Sequence, residues 1–190
     1  MPYRYKLSRQ YGWCCTRIIV FYFLRFVYFR YMKENKINLY LISVLLFMLI
    51  LPIVSIVVEV FSADVDFSVL LVGKWLIFWA IGVRLLIAGI RQITKPSFTA
   101  HQIFRITGND SFPIIRELGF ANICIGIIAM LSVFRPEWRM PAAIAGGLYF
   151  GLAGMMHLIK KPESRNEAIA LVSDLYIFII MLVYCSVAIS

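Results

Sequence analysis

Charge is what this chain has least of. Asp, Glu, Lys and Arg make up 15% of its 190 residues, against about 25% in an average soluble protein. With 62% apolar or aromatic residues and a mean hydropathy of +0.84, too little polar side chain remains to cover a water-facing surface. An ordinary soluble enzyme, a disordered regulator and a secreted disulfide scaffold are excluded on that ground. Acids are scarcest, ten against 19 Lys and Arg, for a formal net charge of +9. The four cysteines, Cys14, Cys15, Cys124 and Cys185, make no C-x-x-C pair and no spacing for zinc or an iron–sulfur cluster. Cys14-Cys15 would take acyl chains only where a host supplies the machinery, and plain thiols are the simpler reading. There is no Gly-rich phosphate loop, no H-E-x-x-H and no G-x-S-x-G. No catalytic residue, no metal site and no disulfide framework are expected, and the chain is not expected to be an enzyme on its own.

What the sequence does have is long apolar runs. About 20 apolar residues suffice for a helix to cross a membrane, and five segments qualify, at about 37–59, 69–93, 114–134, 140–159 and 168–188. Ile37 to Val58 carries no charge, with Pro52 a tolerated kink. The preceding stretch from Trp13 to Tyr31 is aromatic but interrupted by Arg17, Arg25 and Arg30. It reads as an interfacial helix, with arginines at phosphates and aromatic rings at headgroup depth. Without a small-residue cleavage site it does not resemble a signal peptide.

Orientation follows from the basic residues of the connections. Residues 1–36 hold eight of the 19, whereas the 60–68 loop holds none and carries Asp64 and Asp66. Lys95 and Arg105 lie in the 94–113 loop, Arg135 and Arg139 in the 135–139 turn, and Lys160, Lys161 and Arg165 in the 160–167 turn. The expected arrangement is an integral protein of the bacterial inner membrane. It has five spans, a cytoplasmic N-terminus and an external C-terminus. Basic residues beside a span point to anionic lipids of the cytoplasmic leaflet rather than to nucleic acid. Phe98 to Phe104 is expected to form a short helix on the cytoplasmic surface.

Two stretches look alike. Ala88-Gly89 precedes Lys95-Pro96 as Ala153-Gly154 precedes Lys161-Pro162, and the next helices open with Glu117 and Glu167. Either apolar composition alone makes them similar, or two parallel hairpins form a four-helix bundle about a pseudo-twofold axis.

Polar groups at bilayer depth are functional candidates by default. Here they are Arg84, Arg91, Glu117, Asn122, His157, Glu167 and Asp174, all in the expected cytoplasmic half. Arg84 and Arg91 are seven apart and share a helix face, as do Glu167 and Asp174. Because spans two and five are antiparallel, the geometry predicts a two-rung ladder, Arg84 to Asp174 and Arg91 to Glu167. Glu117 and Asn122 fall about 140° apart on their helix. The ladder serves either to hold helices in register or to bind a ligand or proton. Gly119, Gly126, Gly146, Gly147, Gly151 and Gly154 allow close helix packing or, alternatively, a slot for a flat ligand.

Arg84-Leu85-Leu86-Ile87-Ala88-Gly89-Ile90-Arg91, followed by Lys95-Pro96 and Phe98, resembles the DoxX-like family of small bacterial four-helix membrane proteins. Glu117 with Asn122, and Gly154-Met155-Met156-His157, are similar to a poorly characterised branch of it. The resemblance covers about residues 70–188, and where this chain has Arg91 the family more often has Lys. It implies an all-α membrane helix bundle with a four-helix core over 69–188. One additional span over 37–60 and a basic-aromatic interfacial segment over 1–36 precede that core. It also implies an accessory role beside quinone-linked or stress-related membrane complexes. A quinone or lipid headgroup would lie against Arg84, His157 and Asp174, with other membrane subunits or further copies of the chain as partners. The alternatives are a purely structural or interaction subunit and a proton-coupled transporter or channel. The last suffers from an external half that shows no matching polar path.

Overall fold

The computed structural model describes residues 38–190; the expected interfacial segment over 1–36, with Cys14 and Cys15, lies outside the described residues. Among these residues every regular element is helical. Five helices are long and apolar enough to cross a membrane: α1 (Leu39–Ala63), α2 (Val69–Thr94), α3 (Phe112–Leu131), α4 (Arg139–Lys160) and α5 (Arg165–Ile189). The chain is an integral membrane protein by this measure.

Short polar residues set where the helices start. Asn38 accepts from the Tyr40 and Leu41 amides to open α1, and Ser68 accepts from Leu71 to open α2. Helix α5 starts at Arg165, three residues before the apolar run that announces it. Ser164 and Glu167 form a reciprocal capping box there, which satisfies amides that the first turn would otherwise leave orphaned. Prolines set where helices stop. Pro96 ends α2 and Pro162 follows α4. Helix α3 stops at Leu131 rather than 134: the Val133 and Phe134 amides bond three residues back in a tightened turn, and Arg135, before Pro136, has left the helical region at φ −126° and ψ 88°.

Two helices carry widened, π-type turns, Leu46–Ile50 in α1 and Ile77–Val83 in α2. The first lies just before Pro52, whose ring crowds the carbonyl four residues back, and the wider turn makes room for it.

Helices α2 and α3 pack as one hairpin, α4 and α5 as the other, and α2 also meets α1, α4 and α5. Ile77, Ile81, Ile177 and Met181 are fully buried at the centre. The α2–α3 crossing is backbone on backbone. A Cβ at Gly126 would stand 2.8 Å from the Leu86 nitrogen and 2.9 Å from the Gly82 oxygen, and one at Gly89 2.6 Å from the Gly119 oxygen. The α4 glycines work differently, receiving side chains: Ile81 of α2 at Gly146, and from α5 Met181 at Gly147, Phe178 at Gly151 and Leu175 at Gly154. These glycine faces are therefore filled by packing and leave no slot between α4 and α5.

The 94–113 connection is helical where a short helix was expected, with Pro96–Phe98 continued by a wide turn over Thr99–Ile103. Pro96, Thr99, Ala100 and Ile103 are buried, so this segment seals one end of the bundle rather than lying free on a surface. Arg105 pairs with Glu163 and Lys160 donates to the Phe104 carbonyl at 2.7 Å, fastening it to the α4–α5 turn.

Candidate functional site

Arg84 projects from the first turn after the wide segment of α2, and Asp174 from the third turn of α5. Their Nη2 and Oδ1 atoms are 3.1 Å apart, with 13% and 8% of the two side chains exposed. The first rung of the expected ladder therefore forms. The same Nη2 donates to Ser173 Oγ at 2.9 Å, Nη1 reaches Met48 Sδ at 3.4 Å, and the guanidinium lies over the Phe150 ring at 4.9 Å. Tyr40 of α1 lies beside the pair as well. Four helices thus supply one cluster, and its single anion is Asp174. Burial without pairing would be costly for either charge, and the shared contacts offset that desolvation.

A second polar pair lies one layer nearer the Pro96 end. Asn122 Nδ2 donates to Gln92 Oε1 at 2.7 Å with both residues buried. Asn122 Oδ1 is buried and accepts no well-formed hydrogen bond among the described residues, although the Tyr149 hydroxyl lies within hydrogen-bonding reach of the Asn122 amide. Tyr149 of α4 lies beside Asn122 and near enough to Arg84 and Asp174 to feel both charges, so it links the two pairs. An orphaned amide oxygen in a native interior costs about 1–3 kcal/mol; Ser111 Oγ, away from the cluster, is likewise buried and unpartnered among the described residues.

The second expected rung does not form. Glu167 is buried, but its Oε2 accepts from the Glu163 and Ser164 amides at 2.8 and 3.2 Å, and Lys160 Nζ stands 3.9 Å from Oε1. Its own helix N-terminus, rich in unpaired amides, holds the carboxylate more closely than a neighbouring helix can. Arg91 instead stacks on Phe98, 3.5 Å from the ring centre. Glu117 is exposed on α3 while Asn122 is buried, as their angular separation requires. His157 is half-buried on α4, close enough to Asp174 to act on it electrostatically. Of the seven candidates, Arg84, Asp174 and Asn122 come together, His157 stands at the margin, and Arg91, Glu117 and Glu167 lie elsewhere.

Sequence reasoning passed over Gln92, Ser173, Tyr40 and Tyr149. Gln92 lies three residues from Gly89, on the face that packs against α3, and that spacing was a usable signal. It also passed over a charged pair at the opposite end of the bundle. Lys74 Nζ donates to both oxygens of Glu59, at 2.6 and 2.7 Å, and the Trp75 indole donates to Oε2 at 2.6 Å. The half of the bundle in which no matching polar path was expected thus contains a bonded acid–base pair. No group of three or more potential metal ligands occurs among the described residues.

No curated protein and no solved structure matches the chain. Residues 39–188, from the first turn of α1 to the last turn of α5, match a family of unknown function, DUF6790, and the chain belongs to that family.

Proposed function

We propose that the chain is a small, DoxX-like accessory subunit of the bacterial inner membrane that holds the polar headgroup of a quinone or lipid at the Arg84–Asp174 cluster. The donors and acceptors gathered around the buried Arg84–Asp174 pair, with Tyr149 linking it to Asn122, carry this reading. The two adjacent layers combine donors (Arg84, Tyr40, Tyr149) with acceptors (Asp174, Asn122 Oδ1). That mixture suits a headgroup that accepts hydrogen bonds as a quinone and donates them as a quinol. The electrons would come from a partner subunit or a bound organic cofactor, since no ligation pattern for haem or an iron–sulfur cluster is present in the sequence. The excess of Lys and Arg on the Pro96 side supports a cytoplasmic location for the cluster.

A second reading, a structural subunit without ligand, is favoured by the α4 glycines, filled by Ile81 of α2 at Gly146 and by α5 side chains at Gly147, Gly151 and Gly154. Native mass spectrometry of protein extracted from its own membranes in mild detergent, with an absorbance spectrum, separates the two. The ligand reading expects a quinone- or lipid-mass adduct on the parent, lost in a folded Asp174→Asn variant. A bare parent protein, with Asp174→Asn losing thermal stability, would overturn it in favour of the structural role.

A further inference from the structure

The Glu59–Lys74 pair belongs neither to the Arg84 cluster nor to the bundle core. It borders a groove of about 360 Å³ between α1 and α2, lined by Val54, Val58, Ser62 and Trp75 together with the pair itself. We propose that this groove binds the headgroup of a zwitterionic aminophospholipid, with the lipid phosphate on Lys74 and its primary ammonium on Glu59.

Depth is the first argument. Glu59 lies four residues before the end of α1 and Lys74 five after the start of α2. At about 1.5 Å per residue both are within about 6–8 Å of the helix ends, where headgroup and hydrocarbon meet. Val54 and Val58 are about half exposed on the α1 surface and continue the groove toward acyl-chain depth.

Bonding capacity is the second. The Lys74 ammonium has three protons and gives two to the Glu59 oxygens, which leaves one N–H for a phosphate oxygen. Glu59 Oε2 takes both Lys74 and Trp75, while Oε1 takes only Lys74, so Oε1 keeps a lone pair for an incoming ammonium. The groove pair is neutral overall. A headgroup with one charge of each sign can match it, whereas a net anion would leave one charge uncompensated in a poorly solvated place. Arg139, more distant, adds a positive field that favours the phosphate at this end.

Discrimination among zwitterions is the third. A quaternary ammonium has no N–H to give Glu59, and it would need an aromatic face instead. Lys74 already lies over the Trp75 ring, 5.0 Å from its centre. The site is therefore selective for a primary amine over choline.

The test is a lipid titration of the delipidated full chain in detergent, read by native mass spectrometry, with phosphatidylethanolamine, phosphatidylcholine and phosphatidylglycerol of identical acyl chains. The expected result is retention of phosphatidylethanolamine about tenfold above the other two, the scale of one charge-assisted hydrogen bond. Lys74→Gln should abolish that preference. Ser62→Phe should abolish it too, because it fills the mouth of the groove and leaves the Glu59–Lys74 pair intact. It decides the question if Lys74→Gln fails to fold. Equal retention of the three lipids, a preference for phosphatidylglycerol, or an unchanged preference in Ser62→Phe would each overturn the assignment.

Discussion

Replacing Asp174 by Leu leaves the Arg84 guanidinium facing Ser173 Oγ, Met48 Sδ and the Phe150 ring, none of them an anion. At 3.1 Å, and with an effective dielectric of about 20, the lost attraction is about 5 kcal/mol before desolvation is counted. Measured losses on breaking buried pairs are about 3–5 kcal/mol. Arg84→Met should lose a similar amount, since Asp174 then keeps only the Ser173 hydroxyl as a donor. The double variant, Arg84→Met with Asp174→Leu, removes both desolvation penalties and leaves a packed apolar contact. It should return to within about 1–2 kcal/mol of the parent or exceed it. The assay is reversible unfolding in mixed micelles by titration with a denaturing detergent, followed by circular dichroism. The single variants should lose much more than the double, a coupling of at least about 3 kcal/mol. The exchanged pair, Arg84→Asp with Asp174→Arg, should lie above either of its own singles. If the losses in the Met/Leu cycle simply add, the two residues do not act as a pair and the physical account of the cluster is wrong.

The packing and the caps give two further expected outcomes. Gly126→Ala sets a methyl 2.8 Å from the Leu86 nitrogen and 2.9 Å from the Gly82 oxygen. Backbone cannot yield as a side chain can, so the thermal midpoint in detergent should fall by the equivalent of about 1–3 kcal/mol; an unchanged midpoint would show that α2 and α3 do not cross this closely. Ser164→Ala removes the cap on the Glu167 amide and should cost about 1 kcal/mol. Faster hydrogen exchange confined to the first turn of α5 would be its signature, and uniform protection across α5 would contradict the capping box.

Span positions were legible because hydropathy reports them directly: no water is available to backbone groups in the hydrocarbon, so the apolar runs must be helices. Their ends were less legible. Helix α5 begins at Arg165 rather than 168 because the Ser164 cap depends on side-chain geometry, whereas hydropathy sees only the apolar run beyond it. The Arg84–Asp174 contact was legible because both helices are regular where it matters. From Arg84 to Thr94 and from Arg165 to Ile189 no wide turn intervenes, so a spacing of seven keeps its meaning. The second rung had the same spacing and failed for local reasons. Glu167 had nearer donors in its own first turn, and Arg91 had an aromatic face at Phe98, a residue beyond the proline that ends its helix. Glu59–Lys74 went unseen because pairing across the α1–α2 loop depends on matched depth from two helix ends rather than on spacing along one helix.

The first helix is part of the cluster. Met48 of α1 bonds Arg84, Tyr40 lies beside Arg84 and Asp174, and Asn38 Nδ2 donates to Asn166 Oδ1 of α5 at 2.8 Å. The family match likewise begins at Leu39. The two wide turns meet at this point, Leu46–Ile50 carrying Met48 and Ile77–Val83 ending directly before Arg84. A widened turn admits one extra residue and rotates the downstream helix by about a quarter of a turn or more relative to an ideal one. Arg84 therefore owes its direction to the wide turn before it, and the regular helix after it then fixes its spacing to Gln92. Such turns give up regular hydrogen-bond geometry in a medium that offers no replacement. Their convergence on one buried arginine makes the α1–α2 contact, as much as the α2–α5 ion pair, the feature that shapes the polar layer of this bundle.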